Sequence, residues 1–251
     1  MSSLSISLIV FVVIFGAALV GMLLRAVLPA HHISAESKKV VELGMGLVGT
    51  MTALVLGLLI ASAKGYYDTQ SSELTQASAN IVLLDRVLAH YGPESKEVRE
   101  TLRGAVAHLI EETWSADGNR PSHFGGESAS GEILYDKIQA LSPQTDLQRS
   151  LQAQALSMAV NLGQTRWLMY EQGVGSISRP MVVVMVFWLT IIFLSWGLFA
   201  PRNPTVLATL FTVALSVSGA MFLILEMYSP YSGLIQISSA PLRLALAHLG
   251  Q

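Results

Sequence analysis

The sequence predicts an all-α integral membrane protein, with four transmembrane helices and a helical-bundle domain inserted between helices 2 and 3. Hydrophobic residues make up 52% of the chain and charged residues 13%, whereas about a quarter of the residues in an average soluble domain are charged. The charges are also clustered, because all but five of the 15 Lys and Arg residues and all but three of the 17 Asp and Glu residues lie between Lys64 and Arg179. The chain therefore has two apolar arms around a polar middle.

Four apolar stretches reach the length of about 20 residues that a helix needs to cross the hydrocarbon core of a bilayer. They run from about Ser5 to Leu28, from Leu43 to Ala63, from Arg179 to Arg202, and from Pro204 to Leu225. The domain boundaries follow from these stretches. We expect spans 1 and 2 in residues 1–65, a polar helical bundle outside the membrane in 66–178, spans 3 and 4 in 179–228, and an interfacial tail in 229–251.

The polar middle shows the spacing of amphipathic helices. Its first apolar stripe recurs every three or four residues, as one buried helix face requires, and consists of Leu74, Ala77, Ile81, Leu84 and Leu88. Gly92-Pro93 ends this helix. Further helices are predicted from about Glu94, from Gly131 to Ala140 and from Pro143 to Gln172, with a loop over Asp117 to Gly126. The middle domain should therefore pack as a bundle of about four helices.

The composition argues against several classes of function. A net charge of −2 gives no basic field for nucleic acid, and a chain without cysteine has no thiolate nucleophile or thiolate metal ligand. The adjacent pair His31-His32 and the pair Glu111-Glu112 fit solvated surface positions better than a metal or acid–base site. We therefore expect no enzyme activity, no cofactor, no metal site and no nucleic-acid partner.

Small residues recur every four positions in the second span. Gly49, Ala53, Gly57, Ala61 and Gly65 lie along nearly one face of that helix. Apolar burial does not drive helices together in lipid, and small residues let two backbones approach closely. This stripe predicts tight helix packing.

Another face of the second span carries larger side chains, and Met51, Val55 and Leu59 also recur every four residues. In a ring of identical subunits, such a row would form a hydrophobic constriction that gates a pore by dewetting. Thr50 could offer a hydroxyl to a passing ion, although a threonine that bonds back to its own helix is commoner. We take Met51, Val55, Leu59 and Thr50 as pore or neck candidates.

Two parts of the sequence resemble the bestrophin-like bacterial membrane proteins. The first is the second span running into a polar helix, from Val48 to Asp68, with Glu73 and Leu84-Asp85-Arg86 beyond it. The second is an acid, proline, aromatic, serine and glycine motif after the fourth span, made by Glu226, Pro230, Tyr231, Ser232 and Gly233. The resemblance covers most of the chain.

The resemblance implies an oligomeric channel of the bestrophin type, pentameric and anion-conducting, with a hydrophobic neck formed by transmembrane helix 2. It places Glu226, Pro230, Tyr231 and Gly233 near the pore and the middle domain in the cytoplasm, with the chain a multi-pass protein of the bacterial inner (plasma) membrane. The partners implied are the lipid bilayer, further copies of the chain and inorganic ions. Basic residues near the span ends give no independent orientation, because four lie on each side.

Two alternatives to a channel stay open at this point. A stator-like subunit also has four spans and a large insert, but it needs an ionisable group in mid-membrane, on itself or on a partner. No acid or base lies deep within the four apolar stretches, so a partner protein would have to carry the proton. The other alternative is a non-conducting membrane scaffold that acts through a protein partner.

Overall fold

The computed structural model describes residues 2–29, 34–114, 130–174 and 179–251, and within them the only regular structure is helical. The α-helices are α1 (Ser3–Val27), α2 (Ala35–Tyr91), α3 (Lys96–Thr113), α4 (Ser130–Gln139), α5 (Asp146–Val174), α6 (Arg179–Phe199), α7 (Pro204–Met227) and α8 (Ala240–His248), with a 3-10 turn at Pro93–Ser95. Four helices, α1, α2, α6 and α7, are long and apolar enough to cross a membrane. The prediction of an all-α chain with four long apolar helices is confirmed. The predicted loop from Asp117 to Gly126 and the pair His31-His32 lie outside the described residues.

Local side chains account for several helix ends. The Asn203 side chain accepts a hydrogen bond from Val206 N at 2.8 Å, and Pro204 occupies the first turn of α7. Gly92 has φ +129° and is followed by Pro93, and these two residues together end α2. The α5 helix begins later than the predicted Pro143, because the Thr145 hydroxyl accepts from Gln148 N at 3.1 Å and caps the helix there.

The chain divides into two compact units. Residues Met1–Tyr66 and Ser176–Tyr228 form the first, which we call the apolar unit, and Tyr67–Gly175 with Ser229–Gln251 form the second, the polar unit. The long helix α2 contributes residues to both.

The core of the apolar unit includes residues from all four spans, among them Ile14, Leu59, Phe193 and Met221. The closest approach is between α1 and α6, where a Cβ atom on Gly21 would overlap the main-chain oxygen of Leu194. A Cβ atom on Gly197 would likewise overlap the main-chain oxygen of Ala18. Only glycine fits at these two positions, so the α1–α6 crossing depends on them.

The core of the polar unit is built from the α2 stripe, with α3, α4, α5 and α8 packed around it. The final segment is part of this core, because Leu242, Ala245 and Leu249 are buried there and α8 packs on α3. An interfacial position for the tail over 229–251 stays a prediction. The apolar side of α8, with a spacing of three and four residues, is buried by its own subunit.

A buried ion pair lies within the polar unit. Asp85 is 1% exposed, and Arg99 donates to both of its carboxylate oxygens at 2.7 and 2.8 Å. Gly250 N donates to the same carboxylate at 3.2 Å. Burial alone would raise the pKa of Asp85, but the hydrogen bonds and charge of Arg99 outweigh it, so the pKa lies below its ordinary value. This ion pair joins α2, α3 and the end of the chain.

We expect Arg99→Met to lower the free energy of unfolding by about 3 to 5 kcal/mol, because it removes the ion-pair partner of the buried Asp85 carboxylate. The measurement is thermal unfolding of the full chain in detergent, followed by tryptophan fluorescence. The matched control is Arg149→Met, since Arg149 pairs with Asp146 at an exposed site and such pairs contribute about 0 to 1 kcal/mol.

The two variants should also differ in their response to pH. A carboxyl whose pKa is lowered by folding stabilises the fold above its unfolded pKa of about 3.9, and this contribution is lost as the pH falls through the folded pKa. The deficit of Arg99→Met should therefore shrink on acidification to about pH 4 and below. An equal loss of stability in the Arg99 and Arg149 variants would contradict the assignment.

Candidate functional site

The second helix is the least buried of the four candidate spans. In its most apolar stretch 11% of the residues are buried within the chain, against 28% in each of α1, α6 and α7. Its contacts within the subunit are one-sided. Thr52, Leu59 and Ala63 are buried, and Val55 and Leu56 pack partly against the same core. The remaining sides of α2 are exposed in the single chain.

The structure splits the predicted neck row. Met51 is exposed, Val55 is half-buried, and Leu59 is 4% exposed within the core of the apolar unit. Leu59 is therefore a core residue of its own subunit and is not available to line an axis between subunits. The reason is the helical period, because a spacing of four advances by 400° and the row drifts around the helix by 40° at each step.

A different set of large side chains forms the exposed side. Leu54 is 75% exposed and Leu58 61%, and Thr50 lies one turn before Leu54. The Thr50 hydroxyl donates to Gly46 O at 2.9 Å, so its hydrogen is used within the helix while its oxygen can still accept. Thr50, Leu54 and Leu58 make a row that no part of the same subunit covers among the described residues.

The stripe of small residues lies beside this row. Ala53 and Ala61 are exposed, and a Cβ atom built on Gly49, Gly57 or Gly65 meets no described atom within 4 Å. The described part of the chain therefore leaves space for a side chain at each of these three glycines. Their predicted role in close helix packing stays a prediction.

The end of α7 is joined to α2 inside the apolar unit. The Tyr228 ring stacks on Tyr66 with centroids 5.4 Å apart, and the Tyr228 and Ser62 hydroxyls are hydrogen-bonded at 3.1 Å. Glu226, the acid of the family motif, is buried in the last turn of α7. The motif thus begins at a fixed helix end.

The rest of the motif lies in the polar unit as a compact turn. Ser232 N donates to Ser229 O at 3.0 Å, and Ile237 N donates to Pro230 O at 2.8 Å. Gly233 has φ +88°, which an L side chain rarely adopts. Pro230 and Tyr231 are buried. The turn therefore places Tyr231 in the core of the polar unit.

Tyr231 begins a chain of hydrogen bonds through two amides, the buried Gln70 and the half-buried Gln172. Its hydroxyl donates to Gln70 Oε1 at 3.1 Å, and Gln70 Nε2 donates to Gln172 Oε1 at 2.6 Å. Gln172 Nε2 then donates to Glu73 Oε1 at 3.4 Å. The Trp114 ring packs edge-on against Tyr231 with centroids 5.8 Å apart. This chain of bonds links α2, α5 and the motif turn.

Gln70 and Gln172 were not predicted from the sequence, although the position of Gln70 on α2 indicates that it is buried. Gln70 precedes Leu74 by four residues and so lies on the buried stripe of α2, where it is 0% exposed. A polar side chain at such a position needs buried partners. Among the described residues, no cluster of three or more His, Cys, Asp or Glu side chains could hold a metal ion.

We expect Tyr231→Phe to destabilise the protein by about 1 to 3 kcal/mol, because it leaves the buried Gln70 Oε1 without its donor. The measurement is thermal unfolding of the full chain in detergent. Tyr135→Phe serves as the control, because the Tyr135 side chain is 36% exposed and water can replace its hydrogen bonds. Equal stability of Tyr231→Phe and the parent chain would rule out a stabilising role for this hydrogen bond.

Comparison with known proteins agrees with the motifs. The sequence model of the bestrophin-like domain matches residues 12–242. The fold is similar to the crystal structure of a bacterial bestrophin homologue from Klebsiella pneumoniae that carries a point mutation. The TM-score is 0.63, the sequence identity is 13%, and the match covers 95% of this chain and 99% of that chain. No curated protein sequence is significantly similar to this chain. Because the domain match spans most of the sequence, this chain belongs to the bestrophin-like family.

Proposed function

We propose that this chain assembles with copies of itself into a channel, and that the exposed side of α2 faces the central axis. The observation that carries the proposal is the low burial of α2, 11% against 28% for each of the other spans. Contact with lipid would not by itself explain why α2 carries a stripe of glycine and alanine next to large apolar side chains. Close contact between helices of neighbouring copies explains both features.

The proposed neck is the exposed row of Thr50, Leu54 and Leu58, with Met51 beside it. Leu54 and Leu58 are one turn apart, so copies arranged around an axis would form two successive apolar rings. Rings of this kind close a pore by excluding water and open when the helices move apart slightly. Leu59 and Val55 would hold α2 against its own subunit.

The proposed conducted ion is an anion, and the proposed assembly is a pentamer, as family membership favours. Within the apolar stretches of α1, α2, α6 and α7, charged side chains occur only near the ends. A ring of fixed charges in mid-membrane, which gives strong ion selectivity, therefore cannot come from these residues. We expect weak discrimination among small anions.

The proposed location is the bacterial inner membrane, with the polar unit in the cytoplasm. The polar unit carries most of the charged side chains of the chain, which suits an aqueous compartment. In this arrangement Tyr231 and the motif turn are cytoplasmic. Glu226, which precedes them in the sequence, lies at the membrane boundary. Family membership supports this sidedness.

The first test is assembly. Gly57→Leu places a large side chain on the small-residue stripe, and we expect it to shift the purified protein from oligomer to smaller species. The measurement is mass by light scattering after size exclusion, with electron microscopy of the parent protein viewed along the membrane normal. Gly16→Leu on α1 is the matched control, because a Cβ there also meets no described atom within 4 Å.

A ring with an axial hole lined by α2 would support the channel. A monomer, or a dimer with no central pathway, would overturn it and leave a non-conducting scaffold or a stator-like subunit that acts through a protein partner. Loss of assembly in both glycine variants would show that any added bulk disrupts the protein, and would contradict a specific role of the α2 stripe.

The second test is ion flux. Leu54→Ala and Leu58→Ala widen the proposed rings, so we expect chloride flux per channel in liposomes to rise several-fold. Leu59→Ala is the control from the same helix, because it opens a cavity in the subunit core and should cost about 2 to 5 kcal/mol of stability without raising flux per channel. Unchanged flux in the Leu54 and Leu58 variants would exclude this row as the neck.

A further inference from the structure

The polar unit contains a cavity of about 460 Å³ that the proposed pore does not use. Its walls come from α2, α3, α4, α5 and one residue of α8. The volume lies within the range of about 300 to 1,000 Å³ typical of small-molecule sites in proteins. The cavity is therefore large enough for a ligand.

The interior of this cavity is apolar. Ile81, Val106, Leu134, Met169 and Leu242 line it, and each is less than a tenth exposed. A water molecule needs two to four polar partners to be held in a buried site, and these side chains provide none. The lining therefore favours an apolar occupant over water.

The polar lining residues lie on α4 and α5. Glu132, Tyr135 and Asp136 are exposed, whereas Arg166 is half-buried. Arg166 Nη1 lies 3.9 Å from where a Cβ atom on Gly131 would be, which places the guanidinium beside the first turn of α4. The acidic side chains face solvent, so the least solvated charge in the lining is a cation.

Arg166 can hold a ligand without giving up its contacts within the chain. It already interacts with other groups of the protein, but a guanidinium carries five N–H donors in a planar fork. That fork matches the two oxygens of a carboxylate or the oxygens of a phosphate. One arginine can therefore serve a structural partner and a bound anion together.

We propose that this cavity binds a single-chain anionic amphiphile, with the alkyl chain among Ile81, Val106 and Met169 and the anionic head at Arg166. A free fatty acid and a lysophospholipid share this chemistry, and both are available to a protein that lies in a membrane. The site is separate from the proposed pore, so its binding can be measured whether or not the chain conducts ions.

The test uses the full chain in lipid nanodiscs and a radiolabelled dodecanoate that carries a photoreactive diazirine near the end of its chain. After irradiation, we expect mass spectrometry to find label on peptides of α2, α3 and α5 that line the cavity. Excess unlabelled dodecanoate should suppress this labelling, and dodecylamine, which has the same chain and a cationic head, should not. Empty nanodiscs give the background from partition into lipid.

Two variants probe the two parts of the site. Ala105→Phe adds bulk to a lining position and should abolish saturable binding. Arg166→Gln should weaken binding by about tenfold or more, the usual effect of losing a hydrogen bond to a charged group, and Arg166→Lys should restore part of it. Arg149→Gln is the matched control on α5, because Arg149 is exposed, pairs with Asp146 and is not part of the cavity.

The outcomes separate clearly. Competition by dodecanoate alone would identify a free fatty acid, and competition by lysophosphatidylglycerol as well would identify a wider class of single-chain anionic lipids; both support the proposal. Label confined to the apolar unit would overturn it, as would equal competition by dodecylamine. An equal effect of Arg166→Gln and Arg149→Gln would also overturn it, even if Ala105→Phe failed to fold.

Discussion

The one-sided burial of α2 is the constraint on which the other features depend. Buried positions recur at steps of three, four or seven residues along the helix, at Thr52, Leu59, Ala63, Gln70, Leu74, Ala77, Ile81, Leu84 and Leu88. In an uninterrupted helix such positions lie along one face. The same helix thus serves as the central packing element of the polar unit and as a sparsely covered span of the apolar unit. On its other face, Leu54 and Leu58 are exposed in the single chain.

The membrane architecture could be predicted from the sequence because it rests on length and composition. A helix that crosses hydrocarbon must satisfy its backbone internally and needs about 20 apolar residues, and each apolar stretch ends at a charged residue or a proline. Which side of a span faces its own subunit is a different question. Every face of such a helix is apolar, so Leu58 and Leu59 look alike in the sequence. Only the packed structure shows that Leu59 lies in the core and Leu58 outside it.

The glycines show the same limit. The regular spacing of Gly49, Gly57 and Gly65 predicts helix packing, yet a Cβ atom built on any of them meets no described atom within 4 Å. The close crossing that the subunit does contain is made by Gly21 and Gly197, which lie on different helices and form no spaced motif. A periodic pattern reports one helix surface, whereas a close crossing needs one small residue on each of two helices. The sequence of a single chain does not pair them.

The buried polar groups of α2 constrain the helix in a way that apolar packing does not. An apolar stripe tolerates small rotations, because one leucine can replace another against the same core, but a hydrogen bond is lost when its atoms separate by about an ångström. Gln70, bonded to Tyr231 and Gln172, and Asp85, bonded to Arg99, therefore fix the rotation of α2 about its axis. Within the polar unit, these bonds hold α2 in one rotational setting against α3, α5 and the motif turn.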